Sequence, residues 1–204
     1  PQYESRLRTI KFAHYLKEAG YDVTIFGASE MHNMDVNLIT DGSKYIVRDY
    51  GDIHFVHIRS LNYNHRGNVI RTLSDILFFH RVSSIGQYLP KPDCIISTTV
   101  PLVTNPVLKF AKKVRSFYVQ EILDFWPDFF VDFGLLSANN PIMSMLYAHY
   151  KNIYKHSDAI VGSPEGTKEY FINKKWDSDN GGPIELEKVF YINNGVDIAD
   201  FEAW

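Results

Sequence analysis

The sequence predicts an α/β fold, a Rossmann-like parallel sheet with helices on both faces. Three observations predict it. Apolar runs rich in β-branched residues recur along the chain, and amphipathic segments separate them. Strand candidates alternate with helix candidates, the order of a parallel sheet covered on both faces. The length of 204 residues, with 45% hydrophobic and 22% charged residues, suits one large packed domain.

The elements follow in order. In "ESRLRTIKFAHYLKEA" (4–19), Leu7, Ile10, Ala13 and Leu16 recur at a helical period, and Gly20 follows as a C-terminal cap. "YDVTIFGAS" (21–29) then reads as a strand. "DIHFVHIRS" (52–60) is the next, and a long amphipathic helix covers 67–89. "PDCIISTTV" (92–100) is a strand ending in polar threonines, and a helix beginning near Pro101 or Asn105 runs to Val114. "SFYVQEIL" (116–123) is a strand that leads into the aromatic run "DFWPDFF". A helix over about 140–156, the strand "DAIVGS" (158–163), a helix over 164–173 and the strand "KVFYIN" (188–193) complete the alternation. "SDNGGP" (178–183) reads as a surface loop within the domain.

Composition excludes several classes. The net charge of -3 and pI near 6.3 give no polyanion-binding footprint, which argues against a nucleic-acid partner. The single cysteine, Cys94, excludes an internal disulfide, and its apolar setting "DCIIS" predicts a buried side chain in a strand. Charged residues through the first twenty positions argue against a signal peptide, and no apolar window reaches the ~20 residues of a membrane span. A reducing, cytoplasmic setting is the expectation. GxGxxG, the P-loop, HExxH, paired CxxC and GxSxG are all absent from the sequence.

In open α/β sheets ligands gather at the carboxyl ends of the strands. Those ends here are "GASEMH", "RSLNYNHRGN", "STTVP", "EILDFWPD" and "SPEG", rich in hydroxyls, amides and acids. The histidines are scattered, and His54 and His57, three apart in a strand, face opposite sides and cannot chelate together. No metal site is expected. His32 lies just past a strand end and is a candidate ligand contact. Asp124 stands out, since it follows a dry strand and is backed by Trp126 and Pro127. Its carboxylate suits substrate hydroxyls or positive charge developing in a transition state. The alternative is an N-cap on a helix starting near Trp126, and the two roles are compatible.

Six blocks in order carry a resemblance: "RTIKFAHYLKEAGYDVTIFGAS..H", "GNVIR", "PDCIISTTVPL", "ILDFWPD" with "FG" and "NP" downstream, "HSDAIVGSPEG" and "INNGVD...F". Together they resemble the N-terminal, acceptor-side half of family 4 retaining glycosyltransferases of GT-B fold. The pattern is most similar to the subgroup that builds capsule and O-antigen polysaccharides. Two departures stand out. The chain opens at "PQYESR", inside or after the loop that follows the family's first strand, and Leu123 stands where an arginine is usual.

The resemblance implies a domain over residues 1–192 without that first strand, and a linker from 193 to a C-terminal nucleotide-sugar domain. It implies retaining sugar transfer from a nucleotide-sugar to a glycan or polyprenyl-diphosphate-linked acceptor. No cofactor or metal is implied, and the fragment alone is expected to be inactive. Asp124 takes the catalytic position. His32, Asn68, Arg71, Thr98, Thr99, Glu121 and Trp126 line the cleft, with Asn194 and Gly195 at the hinge. Partners would be the acceptor, the chain's own C-terminal domain and, peripherally, the inner face of the cell membrane. Two alternatives stay open: a non-catalytic α/β ligand-binding domain, and a sugar-nucleotide 2-epimerase of similar fold, against which "NNGVD" argues.

Overall fold

The computed structural model describes residues 8–31, 36–62, 68–99 and 105–195. The chain falls into two units that divide between Tyr88 and Leu89.

In the first unit, helix α1 (Arg8–Glu18) is followed by strands β1 (Thr24–Ala28), β2 (Tyr45–Tyr50) and β3 (Ile53–Ile58), then by helix α2 (Asn68–Gly86). The sheet order is β1-β3-β2, with β1 parallel and β2 antiparallel to β3. Ile10 and Ala13 of α1 bury against Ile53 and Phe55 of β3, which realises the helical period read from the sequence. The hairpin β2–β3 adds an antiparallel strand to the parallel pattern expected. It turns at Gly51, whose φ of +64° is the left-handed conformation that glycine adopts without steric cost. Beyond the strand ends, Ser29 and Ser60 hold the two chains together: Ser60 Oγ accepts from Glu30 N at 2.9 Å and Ser29 Oγ from Ser60 N at 3.0 Å.

The second unit is a four-stranded, all-parallel sheet flanked by helices, a Rossmann-like α/β arrangement. It contains β4 (Cys94–Thr98), α3 (Asn105–Val114), β5 (Phe117–Ile122), α4 (Asp128–Asp132), α5 (Pro141–His156), β6 (Ala159–Gly162), α6 (Thr167–Asn173) and β7 (Val189–Tyr191). The strands lie in their sequence order, β4-β5-β6-β7.

Alternate residues of β5 face opposite sides of the sheet. Tyr118, Gln120 and Ile122 are fully buried, and Ile122 joins Tyr150 and Tyr154 of α5, Phe171 of α6, Ile160 and Val189 in the core. The other face carries Ile96, Phe117 and Phe190, each about half exposed. Cys94 lies in the predicted strand but is exposed, contrary to the expected burial. Its place is the first residue of a terminal strand of the sheet, paired with the half-exposed Phe117.

Helix α5 is closed at both ends by side chains. Asn140 accepts from Ile142 N at 2.9 Å, with Pro141 at the first helical position. At the other end Lys188 Nζ donates to the carbonyls of Lys155 and Ser157, both at 3.0 Å. Among the described residues no helix is long and apolar enough to cross a membrane.

Candidate functional site

The parallel strands of the second unit deliver their carboxyl ends to one edge. Pairing continues past the strands, with Thr99 N donating to Glu121 O, Ser163 N to Ile122 O and Ile192 N to Gly162 O. Residues 98–99, 121–124, 163 and 192 thereby form a rim.

Its floor is built on Gln120, a residue the sequence reading passed over. Gln120 Nε2 donates to Ser97 O at 2.8 Å and to Thr99 Oγ1 at 3.0 Å, and its Oε1 accepts from Tyr118 OH at 2.9 Å. Thr99 Oγ1 in turn donates to Glu121 O at 2.7 Å. A buried amide is costly unless its polar atoms are bonded, and here they are. The same burial pushes the Tyr118 phenol up to about 12, keeping it protonated as a donor. The signal in the sequence was a lone amide inside the apolar run "FYVQEIL".

On the opposite face of β5, Glu121 is only 5% exposed and its Oε2 accepts from Thr98 Oγ1 at 2.7 Å. Thr98 and Glu121 are register partners, so this contact follows from strand pairing. Asp124, two residues beyond β5, is exposed. Its carbonyl accepts from Trp126 N at 3.0 Å, which turns the chain away from the sheet. The N-cap role is not realised: α4 begins at Asp128, behind Pro127, and no side chain caps it.

The aromatic run is anchored by Asp128 instead. Its Oδ1 accepts from Tyr147 OH at 2.7 Å and from Lys174 Nζ at 2.6 Å, and its Oδ2 accepts from Tyr170 OH at 2.7 Å. Burial alone would raise this carboxyl, but the hydrogen bonds from Lys174, Tyr170 and Tyr147 outweigh it and hold the group below the ordinary range. Burial alone would likewise lower Lys174, and Asp128 and Tyr147 reverse that, leaving it raised. Phe125 stacks on Tyr170 with ring centres 4.4 Å apart. Trp126 packs on Phe129 and Phe130, at 4.6 and 5.1 Å. The segment behind Asp124 is thus tied to both α5 and α6.

Of the residues singled out from the sequence, the second unit brings Thr98, Thr99, Glu121, Asp124 and Trp126 to the end of β4 and β5. Asn194 and Gly195 follow β7 and are exposed. Asn68 opens α2 of the first unit and Arg71 lies exposed in its first turn. His32 lies outside the described residues. No group of three or more His, Cys, Asp or Glu able to hold a metal ion occurs among the described residues.

Fold and rim define a Rossmann-like α/β protein with a polar strand-end site. No protein-family model matches the chain, and no curated protein matches it.

Proposed function

We propose that this chain is the acceptor-side half of a retaining glycosyltransferase, which moves a sugar from a nucleotide-sugar to a lipid-linked or glycan acceptor in surface polysaccharide synthesis. The observation that supports this reading best is the exposed carboxylate of Asp124, held at the carboxyl end of a buried parallel strand by a turn anchored through Asp128. The order of the six sequence blocks agrees with it.

In this reading Asp124 faces the reacting sugar and stabilises positive charge that develops at the anomeric carbon. Thr98, Glu121 and Trp126 shape the cleft beside it, and Thr99 supports its floor. The nucleotide is held by a further domain that follows the hinge at Asn194 and Gly195. Bringing donor and acceptor together supplies much of the rate enhancement. The protein works in the cytoplasm, beside the membrane that carries its acceptor.

Two titrations of this chain test the proposal. Ligand that binds only the folded state raises the melting point by mass action, so thermal melting with UDP, GDP and their sugar conjugates is expected to show no shift if the nucleotide is held by the further domain. A saturable shift would reverse the assignment of the two halves. Amide NMR with methyl glycosides as acceptor mimics is expected to perturb Thr98, Glu121 and Asp124. Perturbation confined to residues away from the rim would remove the acceptor site from it.

A further inference from the structure

Glu30 is a buried carboxylate that the fold leaves half used. It follows β1 in the first unit and is only 4% exposed. Its Oε2 accepts from Asn37 Nδ2 at 3.1 Å, while Oε1 is buried and has no hydrogen-bond partner. None of the ion pairs among the described residues involves it.

The acid is held in place by its neighbours. Ser29 Oγ accepts from Ser60 N and Ser60 Oγ from Glu30 N, at 3.0 and 2.9 Å, and the two hydroxyls lie 3.2 Å apart. These bonds fix the chains beyond β1 and β3 side by side, with both serines buried. On its other side Glu30 forms a bridge with Asn37, flanked by bonds from Met31 N to Val36 O at 2.9 Å and from Leu38 N to Ser29 O at 2.8 Å. Asn37 is itself oriented, its Oδ1 accepting from Ile39 N at 3.0 Å. The serine hydroxyls and the Asn37 amide are thereby engaged in the frame around the carboxylate.

A buried carboxylate with one neutral hydrogen bond is costly, because it gives up the hydration of both oxygens for a single donor. The frame itself has no use for the charge, since a neutral amide oxygen would accept the bond from Asn37 equally. Position supplies the reason. Strands β1 and β3 are parallel, and α/β folds bind ligands at the carboxyl ends of such strands. A ligand hydroxyl would satisfy Oε1 but leave the negative charge buried and uncompensated. A protonated amine does both, as a charge-assisted donor and as a counter-ion.

We infer that Glu30 is the anionic anchor of a ligand site at the ends of β1 and β3, and that the site takes a protonated amine, whose ammonium donates to Oε1 within the frame of Ser29, Asn37 and Ser60. The inference does not rest on the transferase reading, whose rim belongs to the second unit, and it survives the failure of that reading.

Amide NMR of the whole chain tests it with a matched pair of small probes, methylammonium and methanol, at neutral pH and constant ionic strength. Methylammonium is expected to give saturable shifts at Ser29, Glu30, Asn37 and Ser60, and methanol none. Glu30→Gln should weaken methylammonium binding at least about tenfold. Asp41→Asn, at an exposed acid elsewhere in the same unit, should leave it unchanged. Because the shifts of the parent protein locate the site by themselves, the test stands even if the Glu30 variant folds poorly. No saturable shift at these four residues overturns the inference and leaves Oε1 to a water molecule. Equal shifts with methanol overturn it as well, since the site would then recognise hydroxyl and not amine, and so does methylammonium binding that Glu30→Gln leaves intact.

Discussion

Asp128 and Lys174 are joined by a 2.6 Å bond between Oδ1 and Nζ, which together with the bond from Tyr170 OH to Asp128 Oδ2 ties α4 to the C-terminal half of α6 and its cap. Both side chains are less than a third exposed. Asp128 sits below the ordinary carboxylate value of 3.8 and Lys174 above the ordinary ammonium value of 10.5. Between the depressed folded pKa and 3.8, the unfolded state binds more protons at Asp128, so the carboxylate's contribution is complete above 3.8 and disappears as pH falls through the folded value. For Lys174 the contribution is complete below 10.5 and disappears as pH rises through its raised value. Asp128→Asn should cost about 2 kcal/mol of unfolding free energy at neutral pH and flatten the acid limb of a stability–pH profile. An acid limb identical to that of the parent protein would show that the pair does not carry this dependence.

Gln120 is the second stability prediction. Gln120→Leu removes the donor to Ser97 O and Thr99 Oγ1 and the acceptor for Tyr118 OH in a fully buried position. Unsatisfied buried polar groups cost about 1–3 kcal/mol each, so a loss of about 3 kcal/mol in urea denaturation is expected. A loss under about 1 kcal/mol would mean that the floor of the rim rearranges to satisfy itself.

Gly162 permits the close approach of α6 to the end of β6. A Cβ there would lie 2.1 Å from Thr167 Oγ1 and 2.7 Å from Thr167 Cβ. Thr167 cannot swing away freely, since it is β-branched, buried and bonded to Pro164 O at 2.7 Å. Gly162→Ala should therefore cost about 2–3 kcal/mol. Adding Thr167→Ala should recover only part of it, because the two Cβ atoms still collide. Full recovery in thermal melts would contradict the packing described.

Asp124 separates function from stability. It is exposed and only its backbone carbonyl is engaged in the turn, so Asp124→Ala should change unfolding free energy by less than about 0.5 kcal/mol. On the proposed function it should reduce sugar transfer by the two-domain protein roughly hundredfold or more. Undiminished transfer would remove Asp124 from the chemistry.

The alternation of helix and apolar strand was legible because each element advertises its own period. Strands β1 and β3 to β7 and helices α1, α2, α3, α5 and α6 fall where apolar patterning put them. Strand β2 was harder to see, since "YIVRDY" is half polar and is held through its partner β3. The Asp128 hub was not legible at all. Its partners Tyr147 on α5, Tyr170 on α6 and Lys174 just after α6 lie far along the chain, and nothing local in "WPDFF" distinguishes Asp128 from Asp124. Sequence logic favoured the acid nearest the strand end, and burial then assigned the structural anchoring to the other. Cys94 shows the same limit, since an apolar run fixes the strand but not whether its position in the sheet is covered.

The consecutive order of β4, β5, β6 and β7 bears on how this sheet comes to exist. Each new strand lies beside the one most recently added, so every closure spans only the one or two helices between consecutive strands and no distant segment must be captured. Loop-closure entropy is then met in small instalments, which keeps contact order low for a parallel sheet and favours rapid assembly. The second unit can wind up progressively as the chain emerges, its aromatic clamp at Asp128 closing once α6 has followed α5 into place.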